Sequence, residues 1–263
     1  MRADKYFSEN FGSRTKAAEA IEKGLVLVNG KTIKPKTEIA DADTITIIEA
    51  ETSFVSNGGY KLDRAIKAFS VDCADKIFVD IGASTGGFTD CLLQNGAKKV
   101  YAVDVGESLL HERIAGDSRI VRMENTNARY LKKTDFPEEI DGIVTDVSFI
   151  SLRLIFPVIK ELLREDGEAY VLVKPQFECE KKHIGKSGIV SPSAHPEILK
   201  KVLGYLVDNR LYAHGLTNAP IRKGKNIEYV LKIRPTYSGA KTDMQIIELV
   251  KDLIKRNSMG ELQ

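Results

Sequence analysis

The stretch VDIGASTGGF, residues 79–88, decides the fold. It opens as an apolar, β-prone run and then places Gly82, Gly86 and Gly87 where a strand gives way to a helix and the backbone must approach a ligand. The spacing is G-x-S-x-G-G, not the G-x-G-x-x-G of dinucleotide sites, so a nucleoside-type cofactor without a pyrophosphate linker is the natural occupant. Asp104 ends the next β-rich run, twenty-four residues after Asp80, where a carboxylate can accept from both hydroxyls of a ribose.

Outward from that loop, β-rich runs at 76–81, 99–104, 119–122, 141–146, 169–174, 211–217 and 228–233 alternate with helical patterns at 60–69, 86–95, 151–164 and 194–208. The alternation predicts an α/β fold: a Rossmann-like, seven-stranded, mostly parallel sheet with helices on both faces. Only TNAPIRKGKN (217–226) separates the last two runs, which are therefore expected as an antiparallel pair at the end of the sheet.

The N-terminus has another texture. Residues 1–36 carry eight Lys or Arg against four acids, and acids take over from Glu38 to Glu51. SRTKAAEAIEKG (13–24) reads as a helix capped by Ser13 and stopped by Gly24. A strand at 25–28, an Asn29-Gly30 hairpin signal and a β-rich stretch at 43–50 complete a small α+β unit. The expected domains are 1–52, a linker at 53–58, a catalytic domain at 59–236, and a polar tail at 237–263 with an amphipathic helix near 243–256.

Composition sets outer bounds. A 263-residue chain with 43% hydrophobic residues and a net charge of +2 is neither disordered nor fibrous, and any nucleic-acid affinity must be local. Three cysteines (Cys73, Cys91 and Cys179), with no C-x-x-C, argue against a disulfide framework or a zinc ribbon and fit a reducing cytosol. No apolar run approaches the ~18–20 residues a membrane span needs, and MRADKYFSEN lacks a secretory apolar segment. A soluble, cytoplasmic protein is expected. Cys91 reads as core, Cys179 and His183 lack further zinc ligands, and His195 reads as the start of a helix before Pro196.

Several side chains gather where strands end. S-adenosylmethionine carries a cationic sulfur, and Asp80 and Asp146 lie at the carboxyl ends of strands expected to be neighbours. Glu124, Asn125, Thr126 and Asn127 offer polar groups to an adenine edge. In KPQFE (174–178), Lys174 stands at a strand exit and is a candidate base. Lysine's ordinary pKa near 10.4 is too high for that work unless desolvation and a nearby cation lower it. Lys61 could supply the second charge, with Asp146 and Glu228 orienting the two ammonium groups.

Eight motifs in order then resemble the TlyA-type haemolysin family, FtsJ-like ribosomal RNA ribose 2′-O-methyltransferases with an N-terminal RNA-binding domain. They are SRTKAAEAIEKGLVLVNGK (13–31), SNGGYKL (56–62), VDIGASTGGFTDCLLQNGAKKVYAVDVG (79–106), NARYL (127–131), DVSFISL (146–152), LVKPQFE (172–178), KSGIV (186–190) and KGKNIEYVL (223–231). The first resembles the small RNA-binding domain that also occurs in a small-subunit ribosomal protein, in tyrosyl-tRNA synthetases and in pseudouridine synthases.

The resemblance implies a catalytic tetrad at Lys61, Asp146, Lys174 and Glu228, the same four residues found at the strand ends. It implies S-adenosylmethionine as cofactor, held by Asp80, Gly82, Ser84, Thr85, Gly86, Gly87, Phe88, Asp104, Asn127 and Asp146. Ribosomal RNA or ribosomal subunits are the implied partners, gripped through Arg14, Lys16, Lys31 and Lys34, with no metal and no membrane required. Two positions depart from the pattern: Asn57 stands where the family commonly has Arg, and GESLLH (106–111) differs from the usual continuation. The competing readings each lack a feature. A pseudouridine synthase needs a catalytic Asp in a different motif, a non-catalytic RNA-binding assembly factor would not keep all four tetrad positions, and a pore-former needs membrane-active segments. An NAD-dependent dehydrogenase rests on the glycine loop and Asp104 alone.

Overall fold

The computed structural model describes residues 1–40, 42–48, 54–185, 187–222 and 224–260. Lys186, Lys223 and residues 49–53, which belong to motifs and boundaries named above, lie outside the described residues. The chain divides into two compact units, Met1–Ser53 and Phe54–Gln263.

In the first unit, α1 (Ala3–Tyr6) and α2 (Arg14–Glu22) accompany a three-stranded antiparallel sheet of β1 (Val26–Val28), β2 (Lys31–Thr32) and β3 (Ile45–Ile47), in the order β2-β1-β3. The Ser13 hydroxyl accepts from the Lys16 amide and caps α2. Asn29 and Gly30 both take positive φ, 52° and 74°, as a two-residue turn of this hand requires. Ala3, Phe7, Ala17, Ile21, Val26 and Ile39 close a small core.

The second unit begins with Phe54 buried and Ser56 capping α3 (Asn57–Phe69), so most of the stretch expected as a linker is built into the domain. There follow β4 (Ile77–Ile81), α4 (Gly87–Gln94), β5 (Lys99–Val103), α5 (Glu112–Ala115), β6 (Ile120–Met123) and β7 (Ile140–Thr145). Then come α6 (Phe156–Leu162), β8 (Leu163–Val173), α7 (Pro175–Glu178), α8 (His195–Asp208), β9 (Tyr212–Asn218), β10 (Tyr229–Arg234) and α9 (Asp243–Ser258). The seven strands align in the order β6-β5-β4-β7-β8-β10-β9. Strands β4 to β8 pair in parallel, and β10 runs antiparallel to both β8 and β9. The short 219–228 connection forces an antiparallel neighbour, and the α8 crossover leaves one empty position between β8 and β9 that β10 fills.

Alternate strand residues serve opposite faces. Val79, Ile81, Ile143, Val171, Val173, Tyr229 and Leu231 pack with α6, α8 and α9; Phe78, Val144, Leu172 and Val230 pack with α3 and α4. Two expectations are corrected. The helix expected at 151–164 is a single 3₁₀ turn at Leu152–Leu154, then α6, with strand already resuming at Leu163; Pro157 restarts the helix and Leu163 pairs with Ile140. The C-terminal segment is no polar tail, because α9 buries Ile246, Val250 and Leu253 in the main core.

Candidate functional site

The carboxyl ends of β4, β5, β7 and β8 form one rim, and the glycine loop after β4 turns across it. Gly82 sits at φ 82°, and a side chain there would come within 3.2 Å of Val147 and 3.3 Å of the Asp146 carbonyl. At Gly87 a side chain would meet the Ser56 hydroxyl and the Gly59 amide, so only glycine lets α4 start this close to α3. Along the rim a cavity of about 700 Å³ is lined by Gly82, Ser84, Asp104, Asn127, Asp146 and Phe149, among others. Its size suits a nucleoside-sized ligand. A smaller one of about 170 Å³ shares Gly82, Ser84, Asp146 and Ser148 with it and adds Thr85, Gly87, Phe88 and Lys174. A third, of about 240 Å³, is lined by Lys61, Glu228, Asn57, Tyr60, Gln176, Arg222 and Lys225.

Between these hollows runs a continuous chain of charges. Lys174 Nζ lies 2.5 Å from Asp146 Oδ1 and donates to the Ser148 hydroxyl at 2.7 Å. The other Asp146 oxygen faces Lys61 Nζ at 3.4 Å, and Lys61 reaches Glu228 Oε2 at 2.8 Å. Gln176 donates to the remaining Glu228 oxygen at 3.3 Å. Two cations and two carboxylates leave the chain neutral, which is how so many charges tolerate a half-buried site. Burial works against the charge on Lys61, but Asp146 and Glu228 outweigh it and raise its pKa above the ordinary lysine value. Lys61 is therefore a fixed cation.

The other expected ligand residues are distributed as follows. Asp104 spends hydrogen bonds on the loops themselves, accepting from the Ser84 and Gly106 amides at 2.9 Å each, and still borders the large cavity. Asn127 borders it too while accepting from Arg129. Gly86 caps α4 at φ 86° and Asp80 lies fully buried beneath the loop, where Thr89 donates to it at 2.7 Å; neither borders the large or the small cavity. Burial pushes the Asp80 carboxyl up to about 7. Asp80 shares the strand parity of Phe78, which aims it at α4 instead of the rim.

In the first unit, Lys16, Lys31 and Lys34 are exposed, and the latter two border a hollow of about 830 Å³. Arg14 is engaged by Asp4 at 3.0 Å. Cys91 is core, as expected. Among the described residues there is no group of three His, Cys, Asp or Glu that could hold a metal. His195 does open α8, with Nδ1 2.8 Å from the Tyr229 hydroxyl, and burial pushes its pKa down to about 4. Sequence reasoning missed Ser148 and Gln176, although both lie inside quoted motifs, two residues beyond Asp146 and Lys174.

Residues 54–234 match the FtsJ-like methyltransferase family and residues 1–45 match the S4 domain. The chain is 42% identical over 236 residues to hemolysin A of Brachyspira hyodysenteriae, a match covering 88% of this chain and 98% of that one. It is 36% identical over 226 residues to the 16S/23S rRNA (cytidine-2′-O)-methyltransferase TlyA of Mycobacterium tuberculosis, covering 84% of each. A solved structure of a hemolysin-named protein from Streptococcus thermophilus superposes with a TM-score of 0.72 at 37% identity, covering 98% of both chains.

Proposed function

Because the chain belongs to the FtsJ-like methyltransferase family, with an S4 domain at its N-terminus, we propose that it transfers a methyl group from S-adenosylmethionine to a ribose 2′-hydroxyl of ribosomal RNA. The observation that carries this reading is the neutral Lys174-Asp146-Lys61-Glu228 chain set against the glycine loop. When bound, S-adenosylmethionine supplies an electrophilic methyl on a positively charged sulfur. Gly82, Ser84, Asp104 and Asn127 would hold its nucleoside in the large cavity, with Thr85, Gly87 and Phe88 closing the smaller one.

The 2′-hydroxyl would enter beside Lys174, which takes its proton as the oxygen attacks. To serve as base Lys174 must first release its own proton to solvent. Asp146 then stays paired with Lys61, so the carboxylate is not orphaned while Lys174 is neutral, and the proton taken from the hydroxyl restores the ammonium. Lys61, fixed by two carboxylates, supplies the permanent positive charge that the developing alkoxide needs. General-base help of this kind is worth ~10²–10⁴-fold, and holding the oxygen in line with the methyl carbon contributes ~7–11 kcal/mol. Lys16, Lys31 and Lys34 in the S4 domain would contact phosphates and position the RNA without reading its bases. No metal enters the scheme, and the proposed substrate would place the protein in the cytoplasm.

The hemolysin name of a relative does not redirect the reading. Among the described residues no helix is long and apolar enough to cross a membrane, and the apolar stripe of α9 is used in the core. The test is transfer of labelled methyl from S-adenosylmethionine to purified ribosomal RNA, followed by nucleoside analysis. A 2′-O-methylnucleoside is the expected product; label on a base would refute the ribose assignment.

A further inference from the structure

The motifs holding Asp146 and Lys174 run on past them, and the structure shows where those extra residues go. One helical turn, Lys174 to Glu178, lies along the loop that leaves β7. Lys174 donates to Ser148 at 2.7 Å, and Phe177 meets Phe149 with ring centroids 5.1 Å apart. Glu178 accepts from the Ser151 hydroxyl at 2.8 Å and from the Leu152 amide at 2.7 Å. Positions 174, 177 and 178 share one side of a turn, so they engage 148, 149 and 151–152 in step.

Glu178 is the deepest anchor of this clasp. It is only 3% exposed, its two oxygens are divided between the two donors, and its own carbonyl accepts from Lys201 at 3.1 Å. The Leu152 amide is the first free donor of the 3₁₀ turn at Leu152–Leu154, so Glu178 caps that turn from another segment. The loop it holds is strained: Phe149 sits at φ 61°, a left-handed conformation that a bulky side chain adopts only when its surroundings enforce it, and its ring is 92% exposed. Asp146, Ser148, Phe149, Ser151 and Leu154, all on this loop or its turn, wall the large cavity.

We propose that Glu178 is a positioning residue that clasps the 147–152 loop against the 174–178 turn, and so shapes the cofactor cavity and aligns Asp146 with Lys174. The proposal rests on the methyltransferase reading, since its readout is S-adenosylmethionine binding. Glu178→Ala leaves the Leu152 amide buried and unpaired, which should raise the Kd for S-adenosylmethionine at least about tenfold and slow single-turnover transfer further. Glu178→Gln keeps an oxygen for Leu152 and an amide for Ser151, so it should restore binding to within about threefold of the unmodified chain. Ser151→Ala, which deletes one half-exposed hydroxyl, guards against a Glu178→Ala chain that fails to fold and should weaken binding about threefold. Glu168→Gln, at the far end of the sheet, controls for stability alone and should leave the Kd unchanged. Calorimetry on the full chain decides. Unaltered binding in folded Glu178→Ala, or in Ser151→Ala where the first does not fold, would overturn the clasp. Equal loss in the Glu168→Gln control would do the same by assigning the effect to stability. An unmodified chain that binds no S-adenosylmethionine would overturn the methyltransferase reading itself.

Discussion

Strands β8 and β10 carry a cluster of charges at each end, and the two clusters behave differently. At one end, just past the Tyr229 and Val173 pairing, stand Glu228 and Lys174 with Asp146 and Lys61. At the other, Glu168 receives the Tyr170 hydroxyl, Lys232 at 2.9 Å and Arg234. Burial pushes the Glu168 carboxyl up, but these donors outweigh it and hold it down at about 2. Both clusters are half-buried lysine and carboxylate assemblies. One carboxylate saturated by three donors is a locked strut, whereas the two lysines and two carboxylates of the other cluster balance in number and border open cavities. Function is read from stoichiometry and access, not from the presence of buried charge.

The largest expected break of this comparison is at Lys174. Lys174→Ala should lower single-turnover methyl transfer by ~10²–10⁴-fold with S-adenosylmethionine affinity and folding nearly intact. Lys174→Arg should fail as well, because arginine keeps the charge but cannot be deprotonated in a protein. Substantial transfer by the arginine variant would mean that Lys174 only holds substrate.

Glu168→Gln should do the reverse, costing about 1–3 kcal/mol of stability in urea titrations by under-compensating Lys232 and Arg234, with turnover per folded molecule unchanged. Its pH signature follows from the depressed carboxyl: the stabilisation is present above the ordinary value near 4.5 and is lost as pH falls toward about 2, so the variant should show a flatter acid limb. A matching loss of activity would mean the two ends are coupled.

Asp80 sharpens the contrast as a carboxylate with a single side-chain donor, Thr89. Because burial raises its folded value to about 7 from an ordinary 3.8, its contribution is complete below 3.8 and is lost as pH rises through about 7. Asp80→Asn should therefore gain thermal stability over the unmodified chain at pH 8 and not at pH 4, measured without cofactor. A uniform shift at both pH values would contradict the burial argument.

The smallest expected effect lies in the S4 domain, where the same distinction separates Arg14, engaged by Asp4, from exposed Lys16. Lys16→Glu should weaken RNA binding and lower its salt slope by about 0.7–0.9 for each phosphate that is no longer neutralised. Arg14→Glu should also disturb the fold of that unit, seen by amide exchange; an unchanged slope in both would place the RNA surface elsewhere.

How much of this was legible in the sequence varies with the range of the interactions. The strands, and the placement of Asp146 and Lys174 just past β7 and β8, were readable because β-rich runs and strand exits are local signals, whereas Lys61 lies within α3 and meets Asp146 only through the packing of that helix. The helix expected at 151–164 misread one apolar pattern that is divided between a 3₁₀ turn and α6, with Pro157 in the first turn of α6, and that β8 takes over at Leu163. The insertion of β10 between β8 and β9 and the docking of α9 depend on which surfaces remain uncovered after the rest has packed. Glu178 and Ser148 find partners 26 to 27 residues away in the chain, and only the adjacency of β7 and β8 brings them together.

The most direct test of the central claim is mass mapping of ribose methylation on ribosomal RNA from cells with this chain, without it, and with Lys174→Ala in its place. At least one 2′-O-methylated nucleotide is expected to be present with the unmodified chain and missing in both other samples. Identical ribose methylation in all three would contradict it.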